Sequence, residues 1–144
     1  MTTRSVSERM AGVRQRGTKA ELATRRAATR AGLHYRLNVR CLPGAPDLAN
    51  KRRRWAIFVH GCFWHRHPGC RRTTIPKTNT AFWEAKFAAN VARDRDAITR
   101  LEALGYRVLV VWECETEDEA GLRERLARFR PDAGALPYLT NRST

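Results

Sequence analysis

The sequence predicts a single α/β domain in which a small mixed sheet lies between helices. Three observations carry this. The runs Trp55–Val59 and Tyr106–Trp112 are short, apolar and bounded by polar or glycine residues, as buried strands are. Residues 81–104 keep a helical repeat that Gly105 stops. The elements then fall in the order helix, three strands, helix, strand, helix, at a chain length of 144 residues that suits one core.

Taken in order, Ser7 to Arg14 reads as a short helix, separated by Gly17 from a second. That second helix runs from Thr18 to Ala31, opened by the capping-box sequence Thr18-Lys19-Ala20-Glu21 and ended by Gly32. Tyr35 to Val39 forms a strand, and Leu42-Pro43-Gly44-Ala45-Pro46 a turn. Asp47-Leu48-Ala49 begins a short second strand, and Asn50 to Arg54 is a polar connection. The third strand, Trp55 to Val59, delivers His60 at its end. A loop follows as far as Thr80, which has the chemistry of an N-cap. The long helix covers Ala81 to Leu104, the last strand Tyr106 to Trp112, and the last helix Glu117 to Arg128. Phe82 and Trp112 are assigned to the core. Residues 1–6 and 131–144 of the single 1–144 domain are expected to be loosely held.

Composition narrows the partners. Apolar residues make up 42%, and no stretch approaches the ~20 apolar residues of a membrane span. The N-terminal MTTRSVSERM lacks the apolar segment of a secretory signal, so an intracellular, cytoplasmic protein with no membrane partner is expected. Twenty-eight Lys and Arg against fourteen Asp and Glu give a net charge of +14, most of it arginine. Such a field favours a polyanion, and guanidinium groups grip phosphates in pairs of bonds, so nucleic acid is the expected partner. A solvated basic surface or an acidic protein partner is the alternative.

The segment His60-Gly61-Cys62-Phe63-Trp64-His65-Arg66-His67-Pro68-Gly69-Cys70 holds three of the four histidines and two of the four cysteines. Soft ligands at this density point to a metal. Cys62, His67 and Cys70, joined by the distant Cys114, make a Cys3His set of the kind structural zinc takes, and Cys114 would tie the loop to the end of the last strand. Spacing alone leaves His65 as an alternative to His67, and inert buried cysteines as the alternative to zinc. Cys41 stands outside the pattern.

The remaining groups suit phosphodiester hydrolysis, which needs a hard cation for the phosphate and a base for the water. Asp47, behind a rigid Pro-Gly-x-Pro turn, is a hard oxygen ligand suited to Mg²⁺, or else a turn cap. His60 and His65 flank one short segment, where surface histidines are the competing reading. On the long helix, Asp94 shares the inward stripe of Phe87, Val91, Ile98 and Leu101, so it needs a partner, either a histidine to orient or an arginine to pair. Glu21 is accounted for by the capping box alone. Phe63, Trp64 and Trp83 are wedge-shaped apolar groups that suit insertion between bases, or core filling around the metal.

The motifs LPGAPDL, IFVHGCFWHRHPGC, IPKTNTAFW, NVARDRD and LGYRVLVVWECE, in this order, closely resemble those of very short patch repair (Vsr) DNA mismatch endonucleases, from about Ser7 to about Arg128. The resemblance implies a restriction-endonuclease-like core (αβββαβ). It implies an enzyme that nicks double-stranded DNA 5′ of the T in a T:G mismatch left by 5-methylcytosine deamination. It further implies Mg²⁺ on Asp47 and the Val59 carbonyl, His65 as general base oriented by Asp94, and His60 acting on the scissile phosphate. Glu21 would act through water at the metal. Zinc would sit on Cys62, His67, Cys70 and Cys114, and Phe63, Trp64 and Trp83 would intercalate. A monomer working at the bacterial nucleoid, handing its product to mismatch-repair proteins, completes the expectation. The rivals are a strand-nicking nuclease of a restriction or phage-defence system and a non-catalytic zinc DNA-binding module.

Overall fold

The computed structural model describes residues 18–130. The short helix expected at Ser7 to Arg14 and the tail after Arg130 lie outside them. Helix α1 (Lys19–Arg30) starts where the capping sequence predicts, with the Thr18 hydroxyl accepting the Glu21 N–H at 3.1 Å. The Glu21 carboxylate lies 3.5 Å from the Arg25 guanidinium and is nearly fully buried.

Strands β1 (Arg36–Leu37), β2 (Leu48–Asn50), β3 (Trp55–His60) and β4 (Arg107–Trp112) form one sheet in the order β1-β2-β3-β4. The first two pairings are antiparallel and β3–β4 is parallel, with His60 opposite Trp112. Strand β1 is shorter than expected, because Asn38 leaves the extended conformation for a left-handed φ of 49°, although its N–H still donates to the Asp47 carbonyl at 2.9 Å. The long connection between β3 and β4 supplies the crossover that a parallel pair requires.

Strand β3 is apolar from Trp55 to Val59 because it is covered on both faces. Trp55 and Ile57 point into one cluster with Leu48, Val111, Ala28, Leu122, Leu126 and Phe129. Ala56 and Phe58 point the other way, toward Ala97 and Leu101 of the long helix. The first cluster joins α1 to the C-terminal helix α4 (Glu119–Phe129), so the sheet is sandwiched between helices.

Three further boundaries differ from the sequence reading. Residues Cys62–His65, expected as loop, form a one-turn helix, α2. The long helix α3 (Thr80–Ala103) begins at Thr80 itself, with Asn79 as the cap at φ 56°. The Thr80 hydroxyl instead bonds back to the Pro76 and Lys77 carbonyls, at 3.3 Å each. The last helix starts later than Glu117. Glu113–Glu117 is a 3₁₀ turn, and Asp118 caps α4 by accepting the Gly121 N–H at 3.1 Å.

Two core assignments are also corrected. Phe82 is 57% exposed, whereas Trp83 is 3% exposed, because the inward face of α3 runs through Trp83 and Phe87, one turn apart. Trp112 is half-buried and stacks on His67 with ring centroids 4.4 Å apart, so it walls the Cys/His cluster. Among the described residues, no helix is long and apolar enough to cross a membrane.

Candidate active site

The turn before β2 sets Asp47 against the end of β3. Gly44 has φ +75°, and a Cβ there would lie 2.6 Å from that of Ala97 and 3.0 Å from the Phe58 ring. Only glycine lets this turn press onto the sheet and α3 so closely. The Asp47 carboxylate then accepts the Val59 N–H at 2.6 Å. N–H and C=O of one strand residue face the same side, so the Val59 carbonyl is on the Asp47 side as well. Burial, and then the nearby Glu21 charge, push the Asp47 carboxyl up to about 6.

From the other side comes α2, which turns immediately after β3 and projects His65 back over His60. The two imidazoles stack with centroids 4.0 Å apart and planes 6° from parallel. Asp94, on α3, accepts from His65 Nδ1 at 2.6 Å and lies 4.0 Å from His60 Nε2. A carboxylate at that distance keeps the proton on Nδ1, which leaves His65 Nε2 as an acceptor. Of the two readings of Asp94, the histidine partner is the one the structure contains. His60 is nearly buried, and burial, followed by the His65 charge, lowers it to about 4. It is therefore neutral at pH 7. Its Nδ1 has no hydrogen-bond partner among the described residues.

Glu21, Asp47, His60, His65, Asp94 and Arg93 line one cavity of about 310 Å³, along with Val59. All five side chains expected to act in catalysis thus face a common space. The donor set on one wall, a buried carboxylate beside a backbone carbonyl with a second carboxylate near, suits a hard divalent cation.

A second cluster draws on Cys62, the first residue of α2, and on His67, two residues past its end. One ligand atom from each of Cys62, His67, Cys70 and Cys114 falls within 4.8 Å of the others. His67 Nδ1 is 3.4 Å from Cys114 Sγ and 3.7 Å from Cys62 Sγ. His65 is turned away toward Asp94, and His67 is the histidine that stands with the three cysteines. Burial pushes the Cys62 thiol up to about 12, so a thiolate here requires a cation to compensate it. Cys41 is exposed in a turn and takes no part.

Between the clusters runs an aromatic seam. Phe63 meets Trp64 at 5.3 Å and Phe87 at 5.1 Å, and Trp64 meets Trp83 at 6.1 Å. Of the three expected intercalators, Phe63 and Trp64 are half-buried, while Trp83 is buried beneath Trp64.

The family model for the DNA mismatch endonuclease Vsr matches residues 1–72. The chain is 42% identical over 135 residues to the DNA mismatch endonuclease Vsr of Escherichia coli, covering 90% of this chain and 85% of that one. It belongs to the Vsr family. Other relatives include the Type II nicking enzyme V.XorIIP of Xanthomonas oryzae pv. oryzae, 44% identical over 130 residues (88% of this chain, 95% of that one). The Type II nicking enzyme V.NmeAIP of Neisseria meningitidis is 40% identical over 128 residues (89% and 91%). The chain is accordingly a DNA endonuclease of the strand-nicking kind.

Three residues that sequence reasoning passed over also shape this Vsr-family site. Arg66, at φ 57°, donates to the carbonyls of Phe63, Thr73 and Thr74 and lies 4.0 Å from the Phe87 ring centroid, binding the loop to α2 and α3. Asn90 and Arg93 stand on α3 beside Asp94. Asn90 is one helical turn before Asp94, a spacing that would have found it. Arg66 carried no such signal.

Proposed function

We propose that this strand-nicking endonuclease cuts one DNA strand on the 5′ side of the T in a T:G mismatch, the product of 5-methylcytosine deamination, with Mg²⁺ as cofactor. The observation that carries the hydrolytic part is the His65–Asp94 pair at 2.6 Å, facing Asp47 across one cavity. The mismatch specificity is supported by the likeness to the DNA mismatch endonuclease Vsr of Escherichia coli.

Asp47 and the Val59 carbonyl would hold the Mg²⁺, which supplies charge stabilisation for the phosphate under attack. His65 Nε2 takes a proton from the attacking water, and Asp94 stabilises the imidazolium that results. His60, neutral at pH 7, is placed to donate a hydrogen bond to the phosphate. Glu21 adds a second carboxylate to the metal wall. Zinc on Cys62, His67, Cys70 and Cys114 would fasten the loop, and the Phe63–Trp64 edge would enter the base stack with Trp83 beneath it. The element order supports a restriction-endonuclease-like core. We read the protein as a cytoplasmic monomer whose nick is passed to mismatch-repair proteins.

The test is nicking of an end-labelled duplex set carrying T:G, C:G or T:A at one position in varied flanks, with Mg²⁺ or EDTA. Mg²⁺-dependent nicking confined to T:G is expected. Cutting of matched DNA would move the assignment to a restriction or defence nuclease, the reading that the name Type II nicking enzyme of several relatives favours.

A further inference from the structure

The active-site cavity presents an electrostatic problem that its expected residues do not solve. Glu21, Asp47 and Asp94 face the space into which a phosphodiester must come. One divalent cation at Asp47 offsets part of that negative field. Among the residues lining the cavity, Arg93 is the only one with a permanent positive charge.

Its placement is not left to a flexible side chain. The Arg93 guanidinium donates through one Nη to the Asn90 side-chain oxygen, a short contact. The Asn90 amide in turn donates to the backbone carbonyl of Trp64 at 3.2 Å. Asn90 thus spends its acceptor on the arginine and one of its donors on α2. Arg93 keeps its other N–H groups for a ligand. The carbonyl that anchors the chain belongs to the aromatic turn, one residue before His65.

We propose that Arg93 grips the phosphate at the cut site, opposite the metal wall, and that Asn90 is the positioning residue that aims it from Trp64. A guanidinium offers two parallel bonds to a phosphate, and its charge gains value as negative charge builds on the phosphoryl oxygens. The group therefore acts on the chemical step more than on binding. The inference rests on the nicking reading of the site, though not on T:G specificity.

The experiment uses the full chain with Mg²⁺ and zinc, under single-turnover conditions, on the duplex and at the position the parent enzyme is found to cut. If that duplex is matched rather than mismatched, the specificity proposal fails and the Arg93 test proceeds unchanged. Arg93→Ala is expected to slow nicking by ~100- to 1,000-fold, the loss typical of removing one preorganised donor, with DNA affinity changed less than ~5-fold. Arg93→Lys should recover part of the rate. Added methylguanidinium should speed Arg93→Ala at least ~10-fold while leaving the parent and the surface control Arg95→Ala unchanged. Asn90→Ala should slow nicking too, and in Arg93→Ala it should add nothing, as expected of residues acting as one unit. A rate within ~3-fold of the parent for Arg93→Ala would overturn the proposal. So would a loss that lies wholly in binding and disappears at low salt, which marks an ordinary backbone contact. Additive losses for Asn90 and Arg93 would remove the positioning role.

Discussion

Two clusters that both draw on helix α2 are built on opposite terms. In one, the cleft of Asp47, His60, His65 and Asp94 hangs on strands and helices that a buried core already holds. In the other, Cys62, His67, Cys70 and Cys114 join a long connection to the 3₁₀ turn after β4. The cleft is functional cost carried by a stable frame; the cysteine cluster is frame. Substitutions in the first should remove activity without weakening the fold, and those in the second should weaken the fold first.

The sharpest form of that contrast is Asp47→Asn. A carboxyl raised to about 6 favours the folded state when protonated. Its contribution to stability is present below pH ~4, its unfolded value, and is lost as pH rises through 6. At pH 7 the ionised group therefore costs the metal-free protein up to about 3 kcal/mol. Asp47→Asn, which can still accept the Val59 N–H, should cut at less than ~1/1,000 of the parent rate yet melt higher in EDTA-treated samples at pH 7. A lower Tm in calorimetry would break the comparison at its strongest point.

Next in size are His65→Ala, expected to cost ~100- to 10,000-fold in nicking rate, and Asp94→Asn, expected to cost ~10- to 100-fold. Single-turnover kinetics with DNA affinity held would check both. Equal rates to the parent would dismiss the dyad.

The cysteine cluster makes the opposite prediction. Cys114→Ser should lose bound zinc by elemental analysis and at least ~2 kcal/mol of stability, since metal affinity there is folding free energy. Cys41→Ser, on an exposed turn, should stay within ~0.5 kcal/mol. Equal melting curves for the two would mean that no metal tether exists.

The smallest effect expected is that of Phe82→Ala, whose side chain is exposed: within ~0.5 kcal/mol in Tm-derived stability, against a loss of ~3–5 kcal/mol for the buried Trp83→Ala. Similar losses would show that the aromatic seam extends through Phe82.

What the sequence made legible was what is written locally. The Thr18 cap, the stripe through Phe87 and Leu101, and the apolar run of β3 each follow from a period or a neighbour three residues away. So does the grouping of soft ligands. Phe82 is misassigned to the core because neighbouring residues on a helix differ by about 100° of rotation, and both Phe82 and Trp83 are large aromatics. The start of α3 was misplaced because Asn79 and Thr80 are both capping residues, and a left-handed φ is not visible in a side chain. The tie from Trp64 through Asn90 to Arg93 was invisible for another reason: its first link is a backbone carbonyl, which every residue owns.

A last consequence concerns length rather than chemistry. The single turn of α2 is closed by the His65 and His67 N–H groups bonding back to the Gly61 and Cys62 carbonyls, and just one residue, Arg66, separates the group on Asp94 from the group on the cysteines. Adding or deleting one residue between Cys62 and His67 would rotate one cluster out of place however the other settled. Between Cys70 and Asn79 the chain carries no ligand of either cluster, so a one-residue change there should disturb the Arg66 bonds to Thr73 and Thr74 and leave both clusters in place.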